Sequence, residues 1–264
     1  RDVERSRGLG DVYKRQLYIH LLSMVFFNVT SLIKKKDMTE KSKIAFQGVE
    51  GAYADLACRG MFPEQETLSC PTFQGAFKAV QDGEALYAMI PVDNTLAGRV
   101  ADVHHLIPTS GLYVVGEHLQ PINHNLLGVK GAQLSDIEVV HSHVHAIPQC
   151  RKFLDQLGVT TNVQADTAGS AMNVAQLGDK TQAAIASSLA GEIYGLDILK
   201  ENIEDADHNT TRFLVFSRTP KTNFEDGRVL KTSFTFEVRN IPAALFKAMG
   251  CLLYTSDAAD DLLC

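Results

Sequence analysis

Between Lys43 and Pro220 the chain alternates short apolar runs with stretches whose apolar residues recur at helical spacing. The apolar runs predict buried strands at KIAFQG, ALYAMIPV, GLYVVGEHLQP, NHNLLGV, DIEVVHSH, QAAIAS and TRFLVFSR. The helical spacing predicts helices at GAYADLACRGMF, TFQGAFKAVQDG, AIPQCRKFLDQLG, TAGSAMNVAQLG and SLAGEIYG. Strands that alternate with helices indicate an α/β fold with largely parallel sheets.

The number of these elements indicates how they are arranged. About eight such alternating elements in roughly 180 residues fit two small α/β lobes better than one sheet. We expect the chain to cross between the lobes near Gln120 and Pro121 and to return between His208 and Arg212. A central cleft between two lobes is the default position of a ligand site.

The pattern changes after Pro220. KTNFEDGR is polar and typical of a linker. LKTSFTFEV then alternates apolar and polar residues, which predicts a half-buried strand, and NIPAALFKAMG begins a helix with Pro242 at an early position. We therefore expect a second domain that begins in residues 221–250 and is cut off near Gly250.

Both ends of the chain differ from the central part. The apolar stretch from Leu17 to Ile33 would be a membrane anchor or signal peptide if read literally, but its length of about 17 residues is at the lower limit for crossing a bilayer. It is not followed by a small-residue cleavage site, and Met38 opens MTEKSKIAFQG, a plausible start of a cytosolic protein. RGLGDVYKRQ and CLLYTSDAADDLLC resemble translated sequencing adapters. We therefore expect residues 1–37 and 251–264 to be non-native, and we expect no membrane association.

Composition narrows the class of protein. The chain has 264 residues, of which 45% are hydrophobic, and a net charge of −6, which is ordinary for a globular protein. The negative charge excludes a chain-wide basic field, so no nucleic-acid partner is expected. The five cysteines are odd in number and contain no C-x-x-C pair, so they indicate reduced thiols in a cytoplasm.

Sequence motifs give no sign of a cofactor or a metal. The dinucleotide, phosphate-loop and nucleophile-elbow motifs are absent. HSHVH invites a metal hypothesis, because His141, His143 and His145 would share one face of a continued strand. Helix-forming residues follow at once, however, and no Asp, Glu or Cys lies at a matching spacing, so no metal site is expected.

Three polar clusters lie at predicted strand ends or helix starts: PVDNTLAGRV, DTAGSAM and DHNTTRFLVF. Taken singly, the first is a turn signal and the second a helix start. The third places two threonines, an asparagine and an arginine before a buried strand, which is more hydrogen-bonding capacity than a turn needs. Ligands of open α/β folds bind at such strand ends. The clusters therefore predict a pocket of hydroxyls and amides, suited to an elimination from a small polycarboxylate.

These segments, in this order, resemble prephenate dehydratases over Lys43 to Arg218, and KTSFTFEVRNIPAALFKAMG resembles the opening of the ACT regulatory domain that follows in that family. The resemblance implies a catalytic region at residues 38–220, with a two-lobed fold related to type II periplasmic-binding proteins, and the start of an ACT domain at residues 221–250. It implies conversion of prephenate to phenylpyruvate for L-phenylalanine synthesis in the cytoplasm by a homodimer or homotetramer. L-phenylalanine would be an allosteric ligand only if the ACT domain were complete.

The resemblance also assigns residues. It implies that Thr211 assists departure of the ring hydroxyl and that Asn94, Thr167 and His143 orient the substrate. The further substrate-binding positions are Asp93, Thr95, Ser170, Ser187, Asn209, Thr210 and Arg212. Arg212 could pair a substrate carboxylate or only brace the lobes.

Two positions depart from the family pattern. Asp93 stands where the family usually has Glu, and Ala243 stands where many ACT domains have Gly. Two other functions stay open on sequence alone. One is arogenate dehydratase, whose substrate carries an amine in place of the keto group, and the other is a non-catalytic solute-binding protein of the same fold.

Overall fold

The computed structural model describes residues 22–28, 43–221, 230–235 and 238–250. Most of residues 1–37 and 251–264, which we expect to be non-native, therefore lies outside the described residues. The described part of these two ends is Leu22–Asn28, which forms a strand. None of the helices in the described ranges is long and apolar enough to cross a membrane. The chain divides into two compact units, and Val25–Thr232 is the larger.

The elements follow one another along the chain. The strands are β1 (Leu22–Asn28), β2 (Lys43–Gln47), β3 (Glu66–Cys70), β4 (Tyr87–Asn94), β5 (Gly98–Arg99), β6 (Tyr113–Pro121), β7 (Asn125–Gly128), β8 (Val139–His143), β9 (Thr160–Gln164), β10 (Gln182–Ala186), β11 (Asp197–Lys200), β12 (Thr210–Ser217) and β13 (Leu230–Thr235). The helices are α1 (Tyr53–Met61), α2 (Phe73–Asp82), α3 (Ala101–Leu106), α4 (Arg151–Leu157), α5 (Thr167–Leu177) and α6 (Ser188–Tyr194), and residues 244–250 are also helical.

The larger unit contains two sheets, which confirms the prediction of an α/β fold with more than one sheet. The six-stranded sheet has the order β3-β2-β4-β12-β6, with β5 beside β4. The five-stranded sheet has the order β11-β7-β10-β8-β9. The chain leaves the six-stranded sheet at Pro121, enters the other sheet at Asn125, and returns between Lys200 and Thr210.

The expectation of largely parallel sheets was wrong, because both sheets are mixed. Strand β2 is parallel to β3 and β4, and β8 is parallel to β9 and β10. Strand β12, however, is antiparallel to both of its neighbours, β4 and β6, and β7 is antiparallel to β10 and β11. An apolar run predicts a buried strand but not its direction, so β7 and β12 were predicted as strands while their antiparallel direction was not.

Both sheets are covered on two faces, as alternate side chains of their strands show. In β2, Ala45 packs in one apolar cluster, while Ile44 and Phe46 pack in another on the opposite face. In β10, Ile185 and Ala186 are likewise divided between two clusters. Burial on both faces explains why these strands are apolar runs rather than alternating ones.

Helix ends follow from local sequence. Asp166 accepts a hydrogen bond from the Gly169 N–H at 2.6 Å and caps α5, and Ser187 accepts one from the Ala190 N–H at 3.1 Å and caps α6. The prediction that α5 is capped at Asp166 or Thr167 is therefore confirmed at Asp166.

The loop before α1 packs tightly against the start of α6. Gly51 has a φ of +83°, and a Cβ there would lie 2.8 Å from the Ala190 Cα, so only glycine fits. The Ser187 hydroxyl donates to the Gly51 carbonyl at 2.5 Å. A loop of the six-stranded sheet is thereby attached to a helix of the five-stranded sheet.

The segment after Pro220 is described only in part. Strand β13 pairs with β1 in a two-stranded sheet, and a helix follows at residues 244–250. Ala243, directly before that helix, has a φ of +61°, a conformation that favours glycine. The linker-like residues 222–229 lie outside the described residues.

Candidate active site

Asn94 and Thr211 lie opposite each other where β4 ends and β12 begins. They are partners in the antiparallel register of the two strands. Asn94 Nδ2 donates to Thr211 Oγ1 at 2.9 Å and to Asn209 Oδ1 at 2.7 Å. Three of the residues predicted for the site thus form one hydrogen-bonded group.

The orientation of the Asn94 amide is fixed by the backbone. Its Oδ1 accepts hydrogen bonds from the N–H groups of Leu96 at 2.9 Å and Ala97 at 2.8 Å. The Nδ2 group must therefore face Thr211 and Asn209. Because the Thr211 oxygen accepts from Asn94, its own hydroxyl proton remains available for another acceptor.

The hydrogen bonds continue into the five-stranded sheet through residues that the sequence interpretation did not name. Asn209 Nδ2 donates to Gln149 Oε1 at 2.6 Å, and Gln149 lies in the 3₁₀ turn that follows β8. His124 Nε2 lies 3.2 Å from the same Gln149 oxygen, and His124 Nδ1 lies 2.9 Å from the Tyr53 hydroxyl. Asn209 and His124 are buried. This series of side chains, from Tyr53 to Thr211, is called the polar chain below.

Thr95 and Thr210 hold the turn beside this group. Thr95 Oγ1 donates to the His208 carbonyl at 2.8 Å and accepts from the Thr210 N–H at 3.0 Å. Both hydrogen bonds of the Thr95 hydroxyl are therefore made to backbone groups. They fix the backbone from which Asn209 and Thr211 project.

Arg212 is held by two carboxylates of its own sheet. Its Nε donates to Glu117 on β6, and its Nη1 lies 3.7 Å from Asp93 on β4. The Glu117 side chain is only 6% exposed, so this ion pair is largely shielded from water. Through Glu117 and Asp93, Arg212 braces β12 against β6 and β4. Both of these carboxylates belong to the six-stranded sheet, so these two contacts do not connect the two sheets.

Ser170 and Ser187 also hold protein atoms. Ser170 Oγ donates to the Asp166 carbonyl at 2.7 Å within α5, and Ser187 Oγ donates to the Gly51 carbonyl. Both serines are fully buried or nearly so. Each positions a backbone segment and is not free to donate to a ligand.

Thr167 and His143 lie on the five-stranded sheet side. Thr167 is the first residue of α5, and His143 is the last residue of β8. Burial lowers the pKa of His143, and neighbouring His145 lowers it further, while Asp166 opposes the shift. Among the described residues, no hydrogen bond joins Thr167 or His143 to the Asn94 group.

The HSHVH run does not continue as a strand. Strand β8 ends at His143, and a turn follows that contains His145. His141 is buried, and its Nε2 lies 2.6 Å from Gln182 Oε1. Within the described ranges, no three His, Cys, Asp or Glu side chains are grouped as ligands of one metal ion.

Two mixed sheets with helices on both faces place this chain in the class of mixed α/β proteins. Amide and hydroxyl groups at strand ends form its candidate site for a small molecule. Residues 44–221 match the prephenate dehydratase family. The chain belongs to that family.

Individual relatives agree with this assignment. The bifunctional N-acyl-homoserine lactone acylase/prephenate dehydratase of Komagataeibacter europaeus is 49% identical, over 79% of this chain and 74% of its own length. Arogenate dehydratase/prephenate dehydratase 1 of Arabidopsis thaliana is 40% identical, over 83% of this chain and 56% of its own length. The chain thus spans only about half of the plant relative.

A solved structure has the same fold. The prephenate dehydratase of Arthrobacter aurescens in complex with L-Phe superposes with a TM-score of 0.63 and is 30% identical. The match covers 69% of this chain and 63% of that protein.

Proposed function

We propose that this chain converts prephenate to phenylpyruvate, and that Thr211 is the donor to the departing hydroxyl. The observation that carries the proposal is the Asn94–Thr211 hydrogen bond. Because Asn94 donates to the Thr211 oxygen, the Thr211 proton can point toward a substrate. Family membership supports the same reaction class.

The reaction breaks two bonds of one ring. The bond to the ring carboxylate breaks and carbon dioxide leaves; its electron pair enters the ring, and the bond to the ring hydroxyl breaks on the opposite side. The leaving hydroxide takes up a proton to become water, and the ring becomes aromatic. A threonine hydroxyl is a weak acid, so Thr211 stabilises the leaving oxygen by donation, and water relays to that oxygen one proton from an acid of the solvent, hydronium or buffer.

The remaining site residues have two kinds of role in this proposal. Thr167 and His143 orient the substrate from the five-stranded sheet, and His143 does so as a neutral imidazole because burial lowers its pKa. Thr95, Thr210 and Asn209 shape the wall around Thr211. Asp93 and Arg212 brace the strands on either side of Thr211. Ser170 and Ser187 hold the first turn of α5 and the loop at Gly51.

The proposal extends to the architecture. Two sheets joined by two crossings suit a two-lobed fold of the type II periplasmic-binding-protein kind with a central cleft, and residues 221–250 would begin an ACT domain. The left-handed conformation of Ala243 supports the latter, since it stands where many ACT domains have Gly. A cytoplasmic homodimer or homotetramer is part of the same proposal.

A substrate panel tests the proposed activity. The full chain is incubated separately with prephenate and arogenate, and phenylpyruvate or phenylalanine is measured. We expect phenylpyruvate from prephenate at a higher kcat/KM than phenylalanine from arogenate. Faster turnover of arogenate would assign the chain to the arogenate dehydratases. Binding of prephenate without turnover would support a solute-binding protein.

A second activity is suggested by one relative. The Komagataeibacter europaeus protein carries an N-acyl-homoserine lactone acylase name and covers 79% of this chain at 49% identity. The same preparation is therefore incubated with an acyl-homoserine lactone, and release of the fatty acid is measured. If the wild-type chain releases the fatty acid and the Thr211→Val variant does not, both activities would be assigned to one site.

A further inference from the structure

Gln120 lies beside Thr211, on the side opposite to Asn94 and outside the polar chain. In the antiparallel ladders of the six-stranded sheet, Thr211 is the register partner of Asn94 on β4 and of Gln120 on β6. Register partners project from the same face of a sheet, with their Cβ atoms about 5 Å apart. Asn94, Thr211 and Gln120 therefore form a row of three polar side chains, which is called the strand-end row below.

The strand-end row lies where a small molecule can reach it. Strands β4 and β6 both end there, since each is antiparallel to β12, and open α/β sheets bind ligands at the carboxyl ends of their strands. All three side chains of the row are half-buried. Two residues further along β12, Phe213 lies in the apolar cluster that includes Ala54 and Ala57 of α1. The row is thus the polar border of a packed face.

Two neighbours in the same strand fix the orientation of the Gln120 amide. Its Nε2 donates to the Pro121 carbonyl at 2.9 Å, and a backbone carbonyl can only accept. The Oε1 is thereby turned toward His118, whose Nε2 lies 3.1 Å away and supplies the proton of that hydrogen bond. A flipped amide would set two oxygens against each other at Pro121. The donor end of Gln120 is therefore fixed by the backbone.

This amide has a second N–H group to donate. An amide nitrogen carries two hydrogens, and within the described part of the chain Gln120 Nε2 has one acceptor, the Pro121 carbonyl. Because that carbonyl belongs to the strand backbone, the N–H that reaches it points back toward the sheet. The amide group is planar, so its second N–H points away from the sheet, on the face from which the Thr211 hydroxyl projects.

We propose that Gln120 is a second catalytic residue, which donates this N–H to the same departing hydroxyl as Thr211. The inference rests on the proposed dehydratase function and adds a donor that the sequence interpretation did not name. As the bond between ring carbon and oxygen breaks, negative charge develops on the leaving oxygen, which accepts from the Thr211 hydroxyl and the Gln120 amide together. Gln120 transfers no proton; the oxygen becomes water with the proton that solvent water relays to it.

The position of Gln120 favours the hydroxyl end of the substrate. Gln120 and Thr211 are neighbours on one face of the sheet, so an oxygen that accepts from the short Thr211 side chain lies within reach of the longer Gln120 side chain. In prephenate, both carboxylates are carried by the ring carbon opposite the hydroxyl, one directly and one through the keto acid group. A donor beside Thr211 therefore serves the departing hydroxyl.

Gln120→Met in the full chain tests the second donor, because methionine keeps the length of the side chain and lacks the amide. With prephenate as substrate we expect kcat to fall about tenfold while KM changes by less than about twofold. The lost N–H acts on charge that develops only in the transition state, so its loss lowers kcat. A higher KM with wild-type kcat, or no change in either constant, would overturn the proposal.

Gln81→Met is the matched control. Gln81 also donates to a backbone carbonyl, that of Ser110 at 2.7 Å, but it lies on α2, which packs on the other face of the sheet. We expect wild-type kcat and KM from this variant. Gln120→Glu is a second test that keeps the shape, removes the N–H and places a carboxylate beside the leaving hydroxide. We expect it to lose at least about tenfold in kcat with its thermal unfolding unchanged. A folded Gln120→Glu variant with wild-type kcat contradicts the second donor.

Inhibition by phenylpyruvate shows which end of the substrate Gln120 contacts. This product keeps the keto acid group of prephenate and has lost the ring hydroxyl, so we expect the same inhibition constant for the wild type and Gln120→Met. Weaker inhibition of the variant would place Gln120 at the keto acid group and overturn the proposal. If the wild-type chain does not convert prephenate, the proposed function itself fails. If it does and Gln120→Met has the wild-type kcat, only the second donor fails.

Discussion

At Asn94, two backbone N–H groups decide how a whole series of side chains is oriented. Because Leu96 and Ala97 donate to its oxygen, Asn94 can only donate to Thr211 and Asn209. The role that we propose for Thr211 thus depends on the turn after β4, which the sequence alone predicts to be structural. The turn therefore belongs to the proposed site.

Asn94→Asp tests this dependence at the residue scale. The substitution keeps the shape but replaces the donor with an oxygen, so the Thr211 hydroxyl would donate to the new carboxylate instead of the substrate. We expect kcat for phenylpyruvate formation to fall about a hundredfold, the effect of losing a well-placed donor in an active site. Asn162→Asp, on the exposed strand β9, is the control and should keep wild-type kcat. Equal rates for the two variants would show that the Asn94 amide is not needed.

Sequence reasoning found part of this site and missed part of it. Asn94, Asn209 and Thr211 lie in polar clusters at predicted strand ends, and the resemblance to prephenate dehydratases assigned these residues to the site. Gln149 and His124 were missed, because neither lies in one of the three polar clusters and each meets its partners only through the fold. Gln149 is 60 residues from Asn209 in the chain, a distance at which no spacing pattern is informative.

At the scale of elements, helices were predicted better than strand directions. Helix α5 begins at the cap that its sequence indicates. Strands β3, β9 and β11 were not predicted, because they are short and largely polar or exposed. All three are edge strands of their sheets, so their sequences contain few of the apolar residues by which a buried strand is predicted.

The cap of α5 should contribute measurably to stability. Asp166→Ala removes the acceptor of the Gly169 N–H, and we expect the free energy of unfolding to fall by about 1 kcal/mol. Asp166→Asn keeps an oxygen acceptor and should restore most of the loss. Urea denaturation followed by circular dichroism measures both. An Asp166→Ala variant as stable as the wild type would show that the cap is dispensable.

Gly51→Ala should be more damaging than a glycine substitution at an open site. At Gly51 both the positive φ and the 2.8 Å approach to the Ala190 Cα oppose a side chain, and we expect a loss of about 3 kcal/mol. Gly158→Ala is the matched control, because its φ is +72° but nothing lies within 4 Å of an added Cβ. It should lose about 1 kcal/mol. Equal losses, compared by urea denaturation, would mean that the contact with α6 does not constrain the loop.

At the scale of the whole molecule, the hydrogen bond between Asn209 and Gln149 joins residues from the two sheets. Two sheets were predicted from the number of strands, and the prediction is confirmed. Which strand joins which sheet depends on long-range register, as in β12, which inserts between β4 and β6 late in the chain. The periplasmic-binding-protein relationship and the ACT domain stay predictions.

Two histidines, the buried His124 and the half-buried His143, should make stability depend on pH. Burial lowers the pKa of both His124 and His143 in the folded state. As the pH falls through about 6.5, the unfolded chain binds protons first, so stability is full above that pH and decreases below it. We expect Tm to decrease below this pH and the decrease to be smaller in His124→Gln. His104→Gln, on the exposed side of α3, should keep the wild-type pH dependence. The same dependence in all three proteins would remove His124 as a cause.

The most direct measurement of the central claim is the rate of phenylpyruvate formation from prephenate by three versions of the full chain. The wild type should turn over. Thr211→Ser, which keeps the hydroxyl, should retain most of the activity. Thr211→Val, which keeps the shape without the hydroxyl, should lose at least about tenfold in kcat with its thermal unfolding unchanged. A folded Thr211→Val variant with wild-type kcat would contradict the account.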